Sequence, residues 1–300
     1  MPEEHSQFTK LKLSPNQKSK LIVPNSEQCI ISAIADEYGP ALAYSFPDAE
    51  LTTNEINKSG GSSPASLDHL IKKPRGCGEQ TAFYYAPTLY TLIYLESKNR
   101  LNADQKEKGL NFLRSGYKRQ LMFRKSDGSF SAFPNRRSSI WLTSFIIKLF
   151  CVSTKYIELD QHVIKSGLNY LFKKQDVNGF WSEQNPVMHK QLIGGTSGRV
   201  PLTASVLGTL RTCSDIEQIH LDVNQELVNS IQKAENFLNY YRDDVVQTKE
   251  AFKIALLAHS MIDSLSYREK ALELLHHMAS LSNEDDNKVF WRDDFPIEVK

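Results

Sequence analysis

Residues 141–150, WLTSFIIKLF, are apolar around nearly the whole circumference of a helix, whereas residues 167–171, GLNYL, sit in a helix with one apolar and one polar face. The two kinds of segment alternate along the chain. GLNFL from Gly109, GLNYL from Gly167 and AENFL from Ala234 belong to amphipathic helices, while WLTSFIIKLF, PLTASVLGTL from Pro201 and AFKIALLAHSMI from Ala251 are the more apolar class. An all-round apolar helix suits a buried inner layer and an amphipathic one an outer layer, so the alternation predicts helix pairs wound into two concentric rings. The connections repeat as well. Asp127-Gly128-Ser129-Phe130, Asn178-Gly179-Phe180-Trp181 and Val289-Phe290-Trp291 each follow an outer helix, placing a turn and an aromatic plug at one rim. The expected fold is mainly α, an α/α toroid with inner helices beginning near Thr81, Ile140, Pro201 and Thr248, and with Phe295 to Lys300 opening a fifth.

Upstream of the first inner helix stands Gly76-Cys77-Gly78-Glu79-Gln80, entered through Pro74-Arg75. Cys77 and Gln80 are at i and i+3, which face each other on a helical turn. A thiol and a side-chain amide so placed can lose ammonia and join as an internal thioester, and glycines on both sides of the cysteine permit the bent backbone of that small ring. The product is a stored electrophile.

LDHLIKKPRGCGEQ from Leu67 to Gln80, Ala86-Pro87-Thr88, and GYKRQLMFRKSDGSFSAF from Gly116 to Phe133 resemble the thioester-containing protein superfamily of complement components, alpha-macroglobulins and insect thioester proteins. The resemblance runs from about Gln28 to the end of the chain. It implies a toroidal thioester domain over 67–300 with its closing helices missing. Residues 1–66 are expected to be the end of a flanking β domain plus a flexible insertion over Tyr44–Ala65. It further implies an extracellular, secreted protein without turnover, whose Cys77–Gln80 thioester acylates hydroxyl or amine groups on microbial or cell surfaces in opsonisation. The alternative within the family is an alpha-macroglobulin-type endopeptidase inhibitor that tethers a trapped protease. Either way the remaining domains of a parent protein are partners, and no cofactor is required.

Residues 186–195, PVMHKQLIGG, matter next. By the resemblance, the segment ending in Gly194-Gly195 supplies the residue beside the thioester, and the hydroxyl-selective type has histidine at the position of His189. An imidazole there attacks the Gln80 carbonyl and releases the Cys77 thiolate, dividing one hard transfer into two. Complement members commonly carry glutamate two residues later, where this chain has Gln191, so the acidic helper is expected to be a neutral amide. Phe83, Tyr84 and Tyr85 follow Gln80 and are candidates for shielding the bond from water, with helix-core packing the favoured reading for Phe83.

The rest of the composition excludes more than it suggests. Three hundred residues with 40% hydrophobic and 24% charged content are ordinary for a globular domain, and a net charge of +1 gives no general reason to expect nucleic acid or a membrane as partner. No run is long and apolar enough for a transmembrane span. Cys29, Cys77, Cys151 and Cys213 show no metal-ligand spacing, so neither zinc nor a disulfide framework is indicated, and Cys151 and Cys213 read as buried free thiols. That spacing also argues against a zinc-dependent toroidal prenyltransferase. His276-His277, at adjacent positions on an outer helix, reads as surface or packing.

Overall fold

The computed structural model describes residues 67–185, 187–189, 196–285 and 288–291, all within the unit Leu67–Lys300. The expected N-terminal β segment, the 44–65 insertion, Gln191, Gly194-Gly195 and the fifth inner helix lie outside those residues.

After a 3₁₀ turn, Leu67–Leu70, come α1 (Gly78–Ser97), α2 (Ala103–Leu121), α3 (Ile140–Ser153), α4 (Gln161–Lys174), α5 (Arg199–Ser214), α6 (Glu217–Tyr240), α7 (Arg242–Gln247), α8 (Ala251–Met261) and α9 (Arg268–Ser280). The fold is the mainly α toroid of alternating inner and outer helices. Each inner helix packs on the outer helix that follows it: α1 on α2, α3 on α4, α5 on α6, α8 on α9. The inner row runs α1–α3–α5–α8 side by side, and α4 and α6 are neighbours in the outer row.

The starts of α2, α3 and α4 carry side-chain caps. Asn102 accepts from the Gln105 amide at 2.8 Å, Ser139 from Leu142 at 3.1 Å, and Asp160 from His162 at 2.8 Å, each satisfying a donor that the first helical turn leaves free. The small residue that opens each outer-row repeat has a packing reason. A Cβ on Gly109 would lie 2.7 Å from Leu92, and one on Gly167 would lie 2.3 Å from Ile147, while Ala234 is fully buried at the third site. These positions bring the outer helix onto the inner one.

The aromatic plugs are held alike. Phe130 and Trp181 are both buried completely, and their backbone N–H groups donate to Thr143 and Thr203 on the next inner helix, at 2.9 and 3.1 Å. Trp181 also donates from its indole to the Leu171 carbonyl at 2.8 Å. The third connection departs from the expected turn and plug. Asn283–Asp285 (β1) and Lys288–Phe290 (β2) pair antiparallel, with Asn283 opposite Phe290, and Trp291 is 42% exposed, its indole bonded to the Met278 carbonyl.

A second departure is chemical. Cys151 and Cys213 form a disulfide, with Cα atoms 5.3 Å apart, rather than remaining free thiols. Their sequence separation of 62 conceals the pairing, because only the adjacency of α3 and α5 brings them together. The same helices are joined through Ser144 and Thr209 at 2.9 Å, and Arg211 ties α5 onward to Glu235 of α6 and to the Ser260 carbonyl of α8. The bridge closes a loop long enough to contribute about 4 kcal/mol by chain entropy. Replacing both cysteines by Ala is therefore expected to lower the unfolding free energy by about 2–4 kcal/mol in urea titrations, with little change in far-UV circular dichroism.

Candidate functional site

The pentapeptide forms the entry to α1. Cys77 is its N-cap residue in an extended conformation, and the Cys77 N–H donates to Gln80 Oε1 at 3.2 Å, folding the amide back over the turn toward the cysteine. That bond also draws electron density from the carbonyl carbon a thiolate would attack. The thiol is free and 4% exposed, whereas Gln80 is exposed.

Both glycines are required by their surroundings. Gly76 has φ +84°, and a Cβ there would stand 2.1 Å from Gln80 Oε1. At Gly78 a Cβ would come within 2.4 Å of the Ser131 carbonyl oxygen. The Gly78 N–H is instead bonded to the Ala132 carbonyl at 2.8 Å, so the loop after α2 presses directly against the thiol's turn. Arg119, in the last turn of α2, donates from Nε and Nη2 to the Gly76 carbonyl at 3.1 and 2.5 Å. The sequence reading did not single out Arg119.

Glu79 is the residue whose part was missed. Its carboxylate is 2% exposed, and its two oxygens accept from the Met188 N–H at 2.8 Å, the His189 N–H at 3.0 Å and the His189 ring Nδ1 at 2.6 Å. His189 thereby reaches the pentapeptide across 110 residues of sequence. Its ring is 41% exposed. Facing a carboxylate, Nδ1 is the ring nitrogen placed to donate, and the tautomer with its proton there keeps the lone pair on Nε2. A carboxylate partner for the histidine is thus present within the pentapeptide, and the string GCGEQ was the signal that could have found it.

The three shielding candidates separate. Tyr85 is withdrawn from that role: it is 2% exposed, its hydroxyl bonded to Ser153 at 2.8 Å, and burial pushes its pKa up. It is core because α1 turns that face onto α3. Phe83, read as core, is 41% exposed and meets Tyr84 edge-on, and Arg75 lies over the Tyr84 ring at 5.4 Å. No cluster of His, Cys, Asp and Glu among the described residues has the makings of a metal site, and none of the described helices is long and apolar enough to cross a membrane.

Residues 49–299 match the family model of the A-macroglobulin TED domain. The chain belongs to that family, and so to the thioester-containing protein superfamily. Complement C3 of Lethenteron camtschaticum is 30% identical over 267 residues, covering 86% of this chain and 14% of that protein. Venom factor of Crotalus adamanteus is 34% identical over 198 residues, 63% of this chain and 11% of the relative. Thioester-containing protein 1 allele R1 of Anopheles gambiae is 30% identical over 236 residues, 78% and 17% of the two lengths. The chain thus spans less than a fifth of each relative.

Within the TED domain the pentapeptide glycines give a direct test. Gly78→Ala must displace the Ser131 carbonyl, and is expected to cost about 1–3 kcal/mol in urea unfolding. Gly76→Ala would set a Cβ against the Gln80 amide at a backbone φ of +84°, and is expected to break the Cys77–Gln80 hydrogen bond and cost about 1–3 kcal/mol in the same titration.

Proposed function

We propose that the chain is the reactive domain of a complement-like thioester protein that fixes itself to target surfaces through Gln80, as an opsonin. The observation that carries this reading is the Glu79 carboxylate bonded to the His189 ring beside Cys77 and Gln80. Ring closure comes first. The Cys77 thiolate attacks the Gln80 carbonyl carbon, a carbon–sulfur bond forms, the carbon–nitrogen bond breaks, and the amide nitrogen leaves as ammonia with a proton from solvent.

Transfer then reverses the strain of that ring. His189 Nε2 attacks the acyl carbon, the carbon–sulfur bond breaks, and an acyl-imidazole stands beside the Cys77 thiolate. The thiolate, released beside the acyl group, takes the proton of an incoming hydroxyl as general base. The hydroxyl oxygen bonds to the acyl carbon, the imidazole leaves neutral, and the product is an ester of the Gln80 acyl group. Glu79 keeps the Nδ1 proton in place throughout and balances positive charge on the ring, the service a buried carboxylate performs for histidine in a hydrolytic triad. Each molecule reacts once, since the acyl group stays on the acceptor.

His189 supports hydroxyls over amines, because lysine amines, with reference pKa about 10.4, are mostly protonated at neutral pH. The protease-trap alternative has no observation of its own in its favour. The Cys151–Cys213 disulfide supports an oxidising, extracellular setting. Two compact units dividing at 66/67, with the TED family match reaching back to residue 49, and partnership with the remaining domains of a parent protein, complete the reading.

Intact and peptide mass spectrometry with and without methylamine tests the bond: an ammonia-sized deficit over Cys77–Gln80 that methylamine abolishes is expected, and an unmodified glutamine from the outset in both this chain and its parent overturns it. His189→Ala is expected to retain methylamine incorporation while losing glycerol incorporation. Glu79→Gln should close the thioester yet slow glycerol transfer on the order of 10–100-fold, the size seen when a histidine at a metal site loses its orienting partner, with Glu79→Asp recovering part of the rate.

A further inference from the structure

Three separate stretches converge on the pentapeptide, and all three are basic. The first is its own approach, with Lys72, Lys73 and Arg75 exposed. The second is the end of α2 and the residues after it, where Lys118 is exposed, Arg119 holds the Gly76 carbonyl, and Arg124 and Lys125 are half-buried. The third is the loop following Ala132, whose carbonyl takes the Gly78 N–H, and it exposes Arg136 and Arg137. Lys125 Nζ donates to the Pro134 carbonyl, joining the second stretch to the third.

The carboxylates within or bonded to these stretches are committed elsewhere. Glu79 is taken by His189 and the Met188 backbone, Asp127 by Ser129 in its own turn, and Glu183 by Ser139 and the Trp141 N–H at the start of α3. Among the described residues none of Lys72, Lys73, Lys118, Arg136 and Arg137 has a carboxylate partner. A chain with net charge +1 therefore gathers unpaired cations on the three stretches that lead to or hold the pentapeptide.

Building on the hydroxyl-transfer reading above, we infer that this basic rim selects the acceptor: a polysaccharide carrying sulfate or phosphate groups beside its hydroxyls. The acyl group must meet a sugar oxygen before water, so whatever raises the local concentration of sugar decides the yield. Guanidinium forks and ammonium groups bind sulfate and phosphate oxygens well, and a uniformly positive rim speeds encounter with a polyanion by 10-fold or more at low salt. The bond formed joins the Gln80 acyl carbon to a sugar oxygen, and the hydroxyl proton passes to the Cys77 sulfur.

Covalent incorporation is to be measured on dextran, dextran sulfate and polyglycerol phosphate of matched length. Incorporation on at least one polyanion is expected to exceed that on dextran by about tenfold at low salt, and the advantage to collapse near 1 M NaCl, where the screening length falls to about 3 Å. The two polyanion arms separate a sulfate-bearing from a phosphate-bearing acceptor. Lys72→Glu/Lys73→Glu and Arg136→Glu/Arg137→Glu should each bring the ratio toward one, while Lys155→Glu, at the far end of α3, should not. Equal incorporation on charged and neutral polymers, or rim variants that keep the preference, overturns the inference. Should no acceptor be acylated, the thioester reading fails by itself. The rim is then judged by retention of the Cys77→Ala chain on immobilised dextran sulfate: retention lost in the rim variants sustains it, and no retention overturns it.

Discussion

A single buried carboxylate organises the site. Glu79 lies on the first turn of α1 with almost no contact with solvent, a position that an ionised group tolerates only when its oxygens are fully engaged. Here they take two backbone N–H groups and an imidazole, all from 188–189. Hydrogen bonds to a charged acceptor are each worth roughly 1.5–3 kcal/mol, so the segment is held by charge rather than by a helix or a strand. The site is assembled by the residue that sits between the thiol and the amide.

That clamp works because the scaffold fixes its two ends independently. The turn at Cys77 is gripped from one side by Arg119 on the Gly76 carbonyl and from the other by the Ala132 carbonyl on Gly78. On the far side, the chain leading to His189 leaves Trp181, a fully buried plug whose indole and amide are both bonded to the helix layers. Val187, 4% exposed, gives a last apolar anchor before Met188 turns outward. The thiol side of the pentapeptide is thus packed while the amide side faces solvent, and any attack on the acyl carbon comes from the Gln80 side.

Much of this was legible in the sequence, for identifiable reasons. The two helix classes differ in apolar circumference, a property of the chain that needs no coordinates, so the layers and the order of inner helices could be read. The i, i+3 spacing of Cys77 and Gln80 is equally local. What escaped were pairings set by which helices become neighbours: Cys151 with Cys213, Arg119 with Gly76, and Glu79 with His189. Tyr85 misled because its neighbours in sequence point to the site, whereas helical rotation of α1 carries it to the core beside Ser153. The hairpin at Asn283–Phe290 escaped because two three-residue strands carry too little alternation to be distinguished from a turn.

The basic rim has a competing physical origin. Inner and outer helices run in opposite directions, so the rim that bears the pentapeptide collects the N-termini of α1, α3 and α5 and the C-termini of α2 and α4. Cations are favoured at helix C-termini by about 0.3–1 kcal/mol each, and Lys118 and Arg119 in α2 and Lys173 and Lys174 in α4 stand in those last turns. Helix electrostatics alone accounts for them. It does not account for Lys72, Lys73, Arg136 and Arg137, which belong to no helix and so gain nothing from a helix C-terminus. Their reversal leaves the charged last turns of α2 and α4 unchanged, and it therefore distinguishes acceptor selection from helix stabilisation.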